Sequence, residues 1–357
     1  MSEHLAFIGT YAGPSYGIPA VSVDGDSGAL RLLGINRGIE KPSYLHLSAD
    51  GRRLYTGVRS PEFAAQGGGG VAAYAIHGSQ LQFLNARPAF AGPPCYVKTD
   101  RAGKYLYAAN YREGSAVVYA LQADGSLTGD AIRLQHSGRG PHPSRQESAH
   151  IHCTELPPAE DLLYIVDLGL DAVRAYRLPA AGDRALTPVP EADLVEQPGA
   201  GPRHLVFSAD GHYAYLANEL ASSVSVWDLH QPHRPRRLQT LPLLPPGYRG
   251  ENTAAGIKLS PDGRHLCCSN RGHDSLAVFA VDPASGGLSL QAISPVPGRW
   301  PRDFAFVPGG RFVLVACQYT DNLLCLRFEA QSGRLSPVEG PFLTLKDQPV
   351  CVKFRPE

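Results

Sequence analysis

No run in the 357 residues approaches the roughly 18 consecutive apolar positions of a membrane-spanning helix. The N-terminus is expected to carry no secretory leader, because Met1-Ser-Glu-His leads straight into a strand pattern. Charge is scarce, at 18% Asp, Glu, Lys and Arg. It is also balanced, with 33 basic against 33 acidic residues, which argues against a nucleic-acid or membrane-surface partner. The seven cysteines show no Cys-x-x-Cys spacing. Cys153, Cys267, Cys268 and Cys317 fall inside strand patterns, as small core residues of a reducing compartment do. A soluble, cytoplasmic protein is expected. Also missing are a Gly-x-Ser-x-Gly elbow, a phosphate-binding glycine loop and any paired metal-ligand spacing, so no cofactor is expected.

Glycine (38) and proline (31) are plentiful, the profile of many short strands joined by turns. The clearest unit spans 199–220. His204 to Ser208 and Tyr213 to Ala217 read as strands joined by an Asp210-Gly211 turn, a strong hairpin signal. Arg203 just precedes the first strand and Glu219 just follows the second, so the hairpin brings both to one edge. The unit recurs. Turn glycines Gly51, Gly103, Gly211, Gly263 and Gly310 are separated by 52, 108, 52 and 47 residues, and 108 is two periods of 54. The skipped copy falls at Ser148 to Pro157, where Pro157-Pro-Ala-Glu160 replaces the glycine turn before a strand at Leu162 to Val166. A seventh inner strand, Val350 to Phe354, has no partners after it, and His4 to Gly9, Gly17 to Val23 and Ala29 to Gly34 supply them. A β-patterned period near 50 residues means propeller blades. The expectation is one all-β domain over 1–357: a seven-bladed β-propeller whose last inner strand closes the ring against the first three.

In such a blade, the segment leading into the innermost strand and the corner between strands two and three share a face. That face gathers Cys95, His150 to His152, Arg203-His204 and Arg302-Asp303, with corners at Arg59, Asn110-Tyr111, Asp167, Asn218-Glu219, Asn270-Arg271 and Gln318. The long loops Pro61 to Gly70, His136 to Glu147 and Pro245 to Asn252 map there too, and Gly67 to Gly70 reads as a flexible loop tip. His150 and His152 share one side of a strand and could hold a metal, but Arg203, Arg271 and Arg302 would repel a cation, so no metal is expected. Arginines give forked bonds to carboxylate or phosphate, and His exchanges protons near neutral pH. The face therefore reads as a pocket for a small anionic substrate. Its catalytic residues are expected to be His152, Glu219, Arg203 and Arg271, and its substrate-binding residues His150, Arg302, Asn218, Asn270 and Gln318. His204 and His46, on inner strands, read as core residues.

These residues carry a family resemblance. Gly140-Pro-x-Pro-x-Arg-Gln-Glu147, His150-x-His152, Gly201-Pro-Arg-His204, Asn218-Glu-Leu220, Ser269-Asn-Arg-Gly-His-Asp-Ser275 and Trp300-Pro-Arg-Asp-Phe304 resemble the bacterial seven-bladed propeller lactonases of the 6-phosphogluconolactonase type. The resemblance covers nearly the whole chain. It implies a His-Arg-Glu-Arg constellation at His152, Arg203, Glu219 and Arg271, and cofactor-independent opening of 6-phospho-D-glucono-1,5-lactone in the pentose phosphate pathway. A fungal carboxy-muconate lactonising enzyme shares the fold and the kind of site. A second expectation is thus an enzyme acting on muconate-like or aldaric lactones, and a third, of another class, is a non-catalytic propeller that binds a ligand or protein. Either His152 or Glu219 would activate the water. The protein is expected to act as a monomer or weak homodimer.

Overall fold

The computed structural model describes residues 2–11, 16–180, 182–338, 342–346 and 348–356. These residues form seven antiparallel sheets. In chain order, the innermost strands of the second to seventh sheets are Leu45–Leu47, Tyr96–Thr99, Ile151–Glu155, Pro202–Phe207, Thr253–Leu259 and Pro301–Phe306. The first sheet takes its innermost strand from the far end of the chain: Pro349–Phe354 pairs with Glu3–Thr10, with Ala6 opposite Phe354 and Ile8 opposite Val352. Each innermost strand packs on the next, and the seventh returns to the first. The chain is a seven-bladed β-propeller. The seventh sheet has a fifth strand, Leu343–Thr344, beside Asn322–Glu329.

The repeated turn is built by one device. Ser208 Oγ bonds the Asp210 carboxylate at 2.5 Å and accepts the Tyr213 amide at 2.9 Å, while Asp210 takes the His212 amide at 2.9 Å. Ser48 with Asp50 and Ser260 with Asp262 do the same. Gly211 sits at φ 75, a left-handed conformation that glycine adopts without a Cβ penalty. In the fourth blade Glu160 holds that role at φ 50, its amide bonded to the Pro157 carbonyl at 2.9 Å. That hairpin needs no glycine.

Burial falls off outward. Tyr213–Asn218 is buried throughout, whereas the outermost strand of the same blade, Arg236–Pro242, alternates between exposed and half-buried positions. Second-strand tyrosines tie neighbouring blades: Tyr55 donates to the Gly125 carbonyl and Tyr215 to the Gly286 carbonyl, both at 3.0 Å. One loop departs from the sequence reading. Gly67 caps a short 3-10 helix, Pro61–Gln66, and Gly69 already opens a strand, so the glycine run is no free tip. Gly69 and Gly70 are needed for space: a Cβ on Gly69 would stand 2.1 Å from the Gly92 carbonyl, and one on Gly70 2.4 Å from the Phe63 ring.

Candidate active site

Three of the expected site residues are the extra residue of a β-bulge. Ile151 and Cys153 pair with the consecutive residues Asp167 and Val166, leaving His152 unpaired. Pro202 and His204 pair with Asn218 and Ala217, leaving Arg203, and Pro301 and Asp303 pair with Cys317 and Ala316, leaving Arg302. A bulge redirects the side chain of its extra residue. Here it does so at the same level of three inner strands, so an imidazole and two guanidiniums converge on the axis at one end of the ring.

Glu219 is the centre of this well. It follows the strand Tyr213–Asn218, and its amide bonds the Gly201 carbonyl. Its Oε2 lies 2.9 Å from Arg203 Nε, 2.8 Å from Arg271 Nη2 and 3.9 Å from His152 Nε2. Its Oε1 takes a close ion pair from Arg145. Each of Arg203, Arg271, Glu219 and His152 is at most 5% exposed. The guanidiniums are fixed from behind: Arg203 Nη1 donates to the Ala255 carbonyl and Arg271 Nη2 to the Ala254 carbonyl, both at 2.8 Å. Trp300 lies over Arg271 with 5.7 Å from guanidinium to ring centroid, and stacks on Tyr319 at 4.9 Å.

The electrostatics separate the two groups that could move a proton. Burial alone would raise the Glu219 carboxyl, but Arg271, Arg203, His152 and Arg145 hold it well below its ordinary value, so it stays ionised. Burial drives His152 the other way, well below the ordinary imidazole range, and Arg203 and Arg302 reinforce the shift against the pull of Glu219. His152 is therefore neutral near pH 7. Its Nδ1 faces the Cys95 sulfur at 3.9 Å, and the tautomer with its proton there leaves Nε2 as an acceptor toward the well. Burial also lowers Arg271, with Arg203 and Arg302 adding to it. Among the described residues, Arg145, Arg203 and Arg271 share the Glu219 carboxylate, and Arg302 brings a fourth guanidinium to the well without one of its own.

The remaining expected residues divide. Arg302 and Gln318 line the well, 3.5 Å apart from Nη1 to Oε1. His150 stands behind it: its ring stacks on Tyr111 at 4.6 Å, Nδ1 donates to the Tyr111 carbonyl at 3.0 Å, and Nε2 is 3.4 Å from Glu147. It supports Tyr111, whose ring edge meets His152 at 5.2 Å. Asn218 and Asn270 are corrections. Both are fully buried, and their amides clamp their own blade corners, Asn218 to Ser223 and Asn270 to Ser275 at 3.1 Å each. His204 sits in the shaft as a core residue, edge-on to Tyr96 at 5.3 Å and Tyr44 at 5.8 Å, and His46 bonds Thr99 at 2.9 Å.

Two residues escaped the sequence assignment. Arg145 comes from the loop 136–150, outside the blade repeat, and is held there by fully buried Gln146, which bonds the Leu168 carbonyl at 2.8 Å and Asp171 at 2.7 Å. Tyr111 accepts from Arg145 at 3.3 Å. The available signal was the string Gly140-Pro-x-Pro-x-Arg-Gln-Glu147 itself. Among the described residues, no three His, Cys, Asp or Glu side chains are placed to hold a metal ion.

Residues 5–354 match the family model described as lactonase, 7-bladed beta-propeller. The chain is 33% identical to a 6-phosphogluconolactonase of Bacillus subtilis over 358 aligned positions, covering 99% of each chain. It superposes on the periplasmic gluconolactonase PpgL of Pseudomonas aeruginosa with a TM-score of 0.91 and 36% identity over 99% of each chain. A Lactobacillus plantarum protein of solved structure gives 0.89 and 38%, again over 99% of each chain.

Proposed function

Because the chain belongs to the lactonase family of seven-bladed β-propellers, we propose that it hydrolyses a sugar lactone, namely 6-phospho-D-glucono-1,5-lactone to 6-phosphogluconate. One observation carries the reading: a neutral imidazole and an ionised carboxylate stand 3.9 Å apart within a cluster of arginines. A water about 2.8 Å from each, an ordinary hydrogen-bond length, donates one proton to His152 Nε2 and the other to Glu219 Oε2. Its lone pair is then free for the lactone carbonyl carbon. His152 takes the proton as the carbon–oxygen bond forms, and the guanidiniums receive the developing oxyanion. A fixed donor of this kind contributes about 3–4 kcal/mol in the transition state. Collapse of the tetrahedral intermediate breaks the ring ester bond, and His152 returns its proton to the leaving C5 oxygen. Water is consumed and no other co-reactant is needed.

His152 is thus the base, while Glu219 orients the water and anchors the arginines. The excess of guanidinium over carboxylate in the well suits a phosphorylated sugar better than a neutral one. A phosphorylated substrate would place the enzyme in the pentose phosphate pathway and in the cytoplasm, where seven unpaired cysteines stay reduced.

The test is a pH-stat assay on phosphorylated gluconolactone, gluconolactone, a glucarolactone and a muconolactone, with and without EDTA, spontaneous opening subtracted. The phosphorylated 1,5-lactone should be opened fastest, with EDTA without effect. Preference for the muconolactone or glucarolactone would transfer the site to carboxylate substrates. No opening above background would remove the hydrolase reading.

A further inference from the structure

The well is electrostatically lopsided, and its blade order says where. His152, Arg203 with Glu219, and Arg271 belong to the fourth, fifth and sixth blades. Arg302 and Gln318 belong to the seventh, and Tyr11 and Gln348 flank strands of the first. In a ring of seven, the seam between the seventh and first blades lies across the axis from the fourth. Arg302 therefore faces His152 across the well, at the same level, because both are bulge residues of inner strands.

Arg302 also differs from the other three arginines. Arg145, Arg203 and Arg271 share the Glu219 carboxylate. Among the described residues, Arg302 meets no carboxylate: it has the Gln318 side-chain oxygen at 3.5 Å and the Tyr11 ring at 5.4 Å from its guanidinium. Gln318 in turn donates to Gln348 Oε1 at 3.1 Å. Half-buried, Arg302 repels charge on Arg203, Arg271 and His152 alike. A cation so placed gains from an incoming anion what its neighbours already draw from Glu219.

We infer that Arg302, Gln318, Gln348 and Tyr11 form a receptor for the anionic arm of the substrate, and that Arg302 sets selectivity for a charged over an uncharged lactone. The inference rests on the lactone reading above. The guanidinium fork pairs with phosphate or carboxylate oxygens, the two amides offer donors and acceptors for sugar hydroxyls, and the Tyr11 ring backs the cation. On a phosphorylated 1,5-lactone the phosphate hangs from C5 through C6 and its oxygen, away from the carbonyl. Substrate held by His152 and Glu219 at one end thus reaches Arg302 with the other. A terminal carboxylate offers the same pairing, and the substrates tested separate the two sources.

The experiment compares wild type with Arg302→Met and Arg302→Lys on phosphorylated gluconolactone, glucarolactone and gluconolactone. In Arg302→Met the ratio of kcat/KM for phosphorylated over plain gluconolactone should fall about thirtyfold or more, chiefly through KM, as expected for a lost desolvated charge pair. Arg302→Lys should recover part of that ratio. The thermal midpoint of Arg302→Met should stay level or rise, because a repelling charge is removed. If instead the glucarolactone ratio falls and the phosphate ratio does not, the arm is a carboxylate. An unchanged ratio for both charged lactones overturns the receptor, and so does a collapse of the thermal midpoint. Should wild type open no lactone, the hydrolase reading fails by itself. The receptor is then judged by calorimetric binding of inorganic phosphate, which Arg302→Met must weaken by about tenfold or more if the receptor stands.

Discussion

Glu219 Oε2 stands 3.9 Å from His152 Nε2, too far for a hydrogen bond between them and close enough for both to hold one water. The distance assigns them different tasks, and substitution should separate these. His152→Ala removes only the base, so turnover should fall by about 10²-fold or more with a thermal midpoint near wild type. Glu219→Gln leaves Arg203 and Arg271 buried without their carboxylate, a loss of about 3–5 kcal/mol for a broken buried pair. Its midpoint should drop steeply along with turnover. Equal midpoints for the two variants would contradict the anchoring role, and intact turnover in His152→Ala would leave the site without its base.

Three histidines of the axial region, buried His152 and His204 and half-buried His46, have their imidazoles pushed well below the ordinary value of 6.5, chiefly by desolvation. Below pH 6.5 the unfolded chain therefore binds protons that the folded chain refuses. Stability should fall as pH drops through this window and level off above it, with a steepest slope of about 4 kcal/mol per pH unit for three groups. Glu219 acts lower down. Its depressed carboxyl contributes stability above its ordinary value of 4.5, and this is lost only as pH falls through its folded value. Denaturant unfolding between pH 5 and 8 checks this, and His46→Gln should reduce the slope by about a third. A flat profile from pH 7 to 5 would contradict it.

Deleting 349–357 removes the innermost strand of the first blade, including fully buried Cys351 and Val352. The Glu3–Thr10 strand is then left with an open edge on the axial side. Loss of the cooperative thermal transition is the expected result. A truncated chain that melts like the full one would show that closure contributes little.

The blade count was legible because the turn serine, aspartate and glycine recur with the period of the fold. Even the blade that breaks the pattern could be placed, since Glu160 takes the left-handed position that glycine holds elsewhere. His152, Arg203 and Arg302 were found by the same alignment, but not the reason they point inward: a bulge is a matter of pairing register, and register is not written in one strand alone. Asn218 and Asn270 were misread as ligands. Asn110 with Ser115, Asn218 with Ser223 and Asn270 with Ser275 repeat one spacing, and each pair is bonded at 3.0 or 3.1 Å. A polar pair recurring in step with the blades belongs to the scaffold. Arg145 failed for the opposite reason: it lies on a loop with no counterpart in other blades, so no repeat position could assign it.

The pairing of Glu3–Thr10 with Pro349–Phe354 also fixes an order of events on the ribosome. The strand Glu3–Thr10, made ahead of every other described strand, is among the last to find its inner neighbour, because residue 354 must emerge before Ala6 has a partner across the seam. Until then the nascent chain carries an unpaired, largely apolar edge through the synthesis of six blades, a template for association with other chains. A circular permutant opened in the exposed loop around Gly247, which links the fifth blade to the sixth, with residues 2 and 356 joined by a linker, would let the first blade complete itself early and free the newborn protein of that exposed seam.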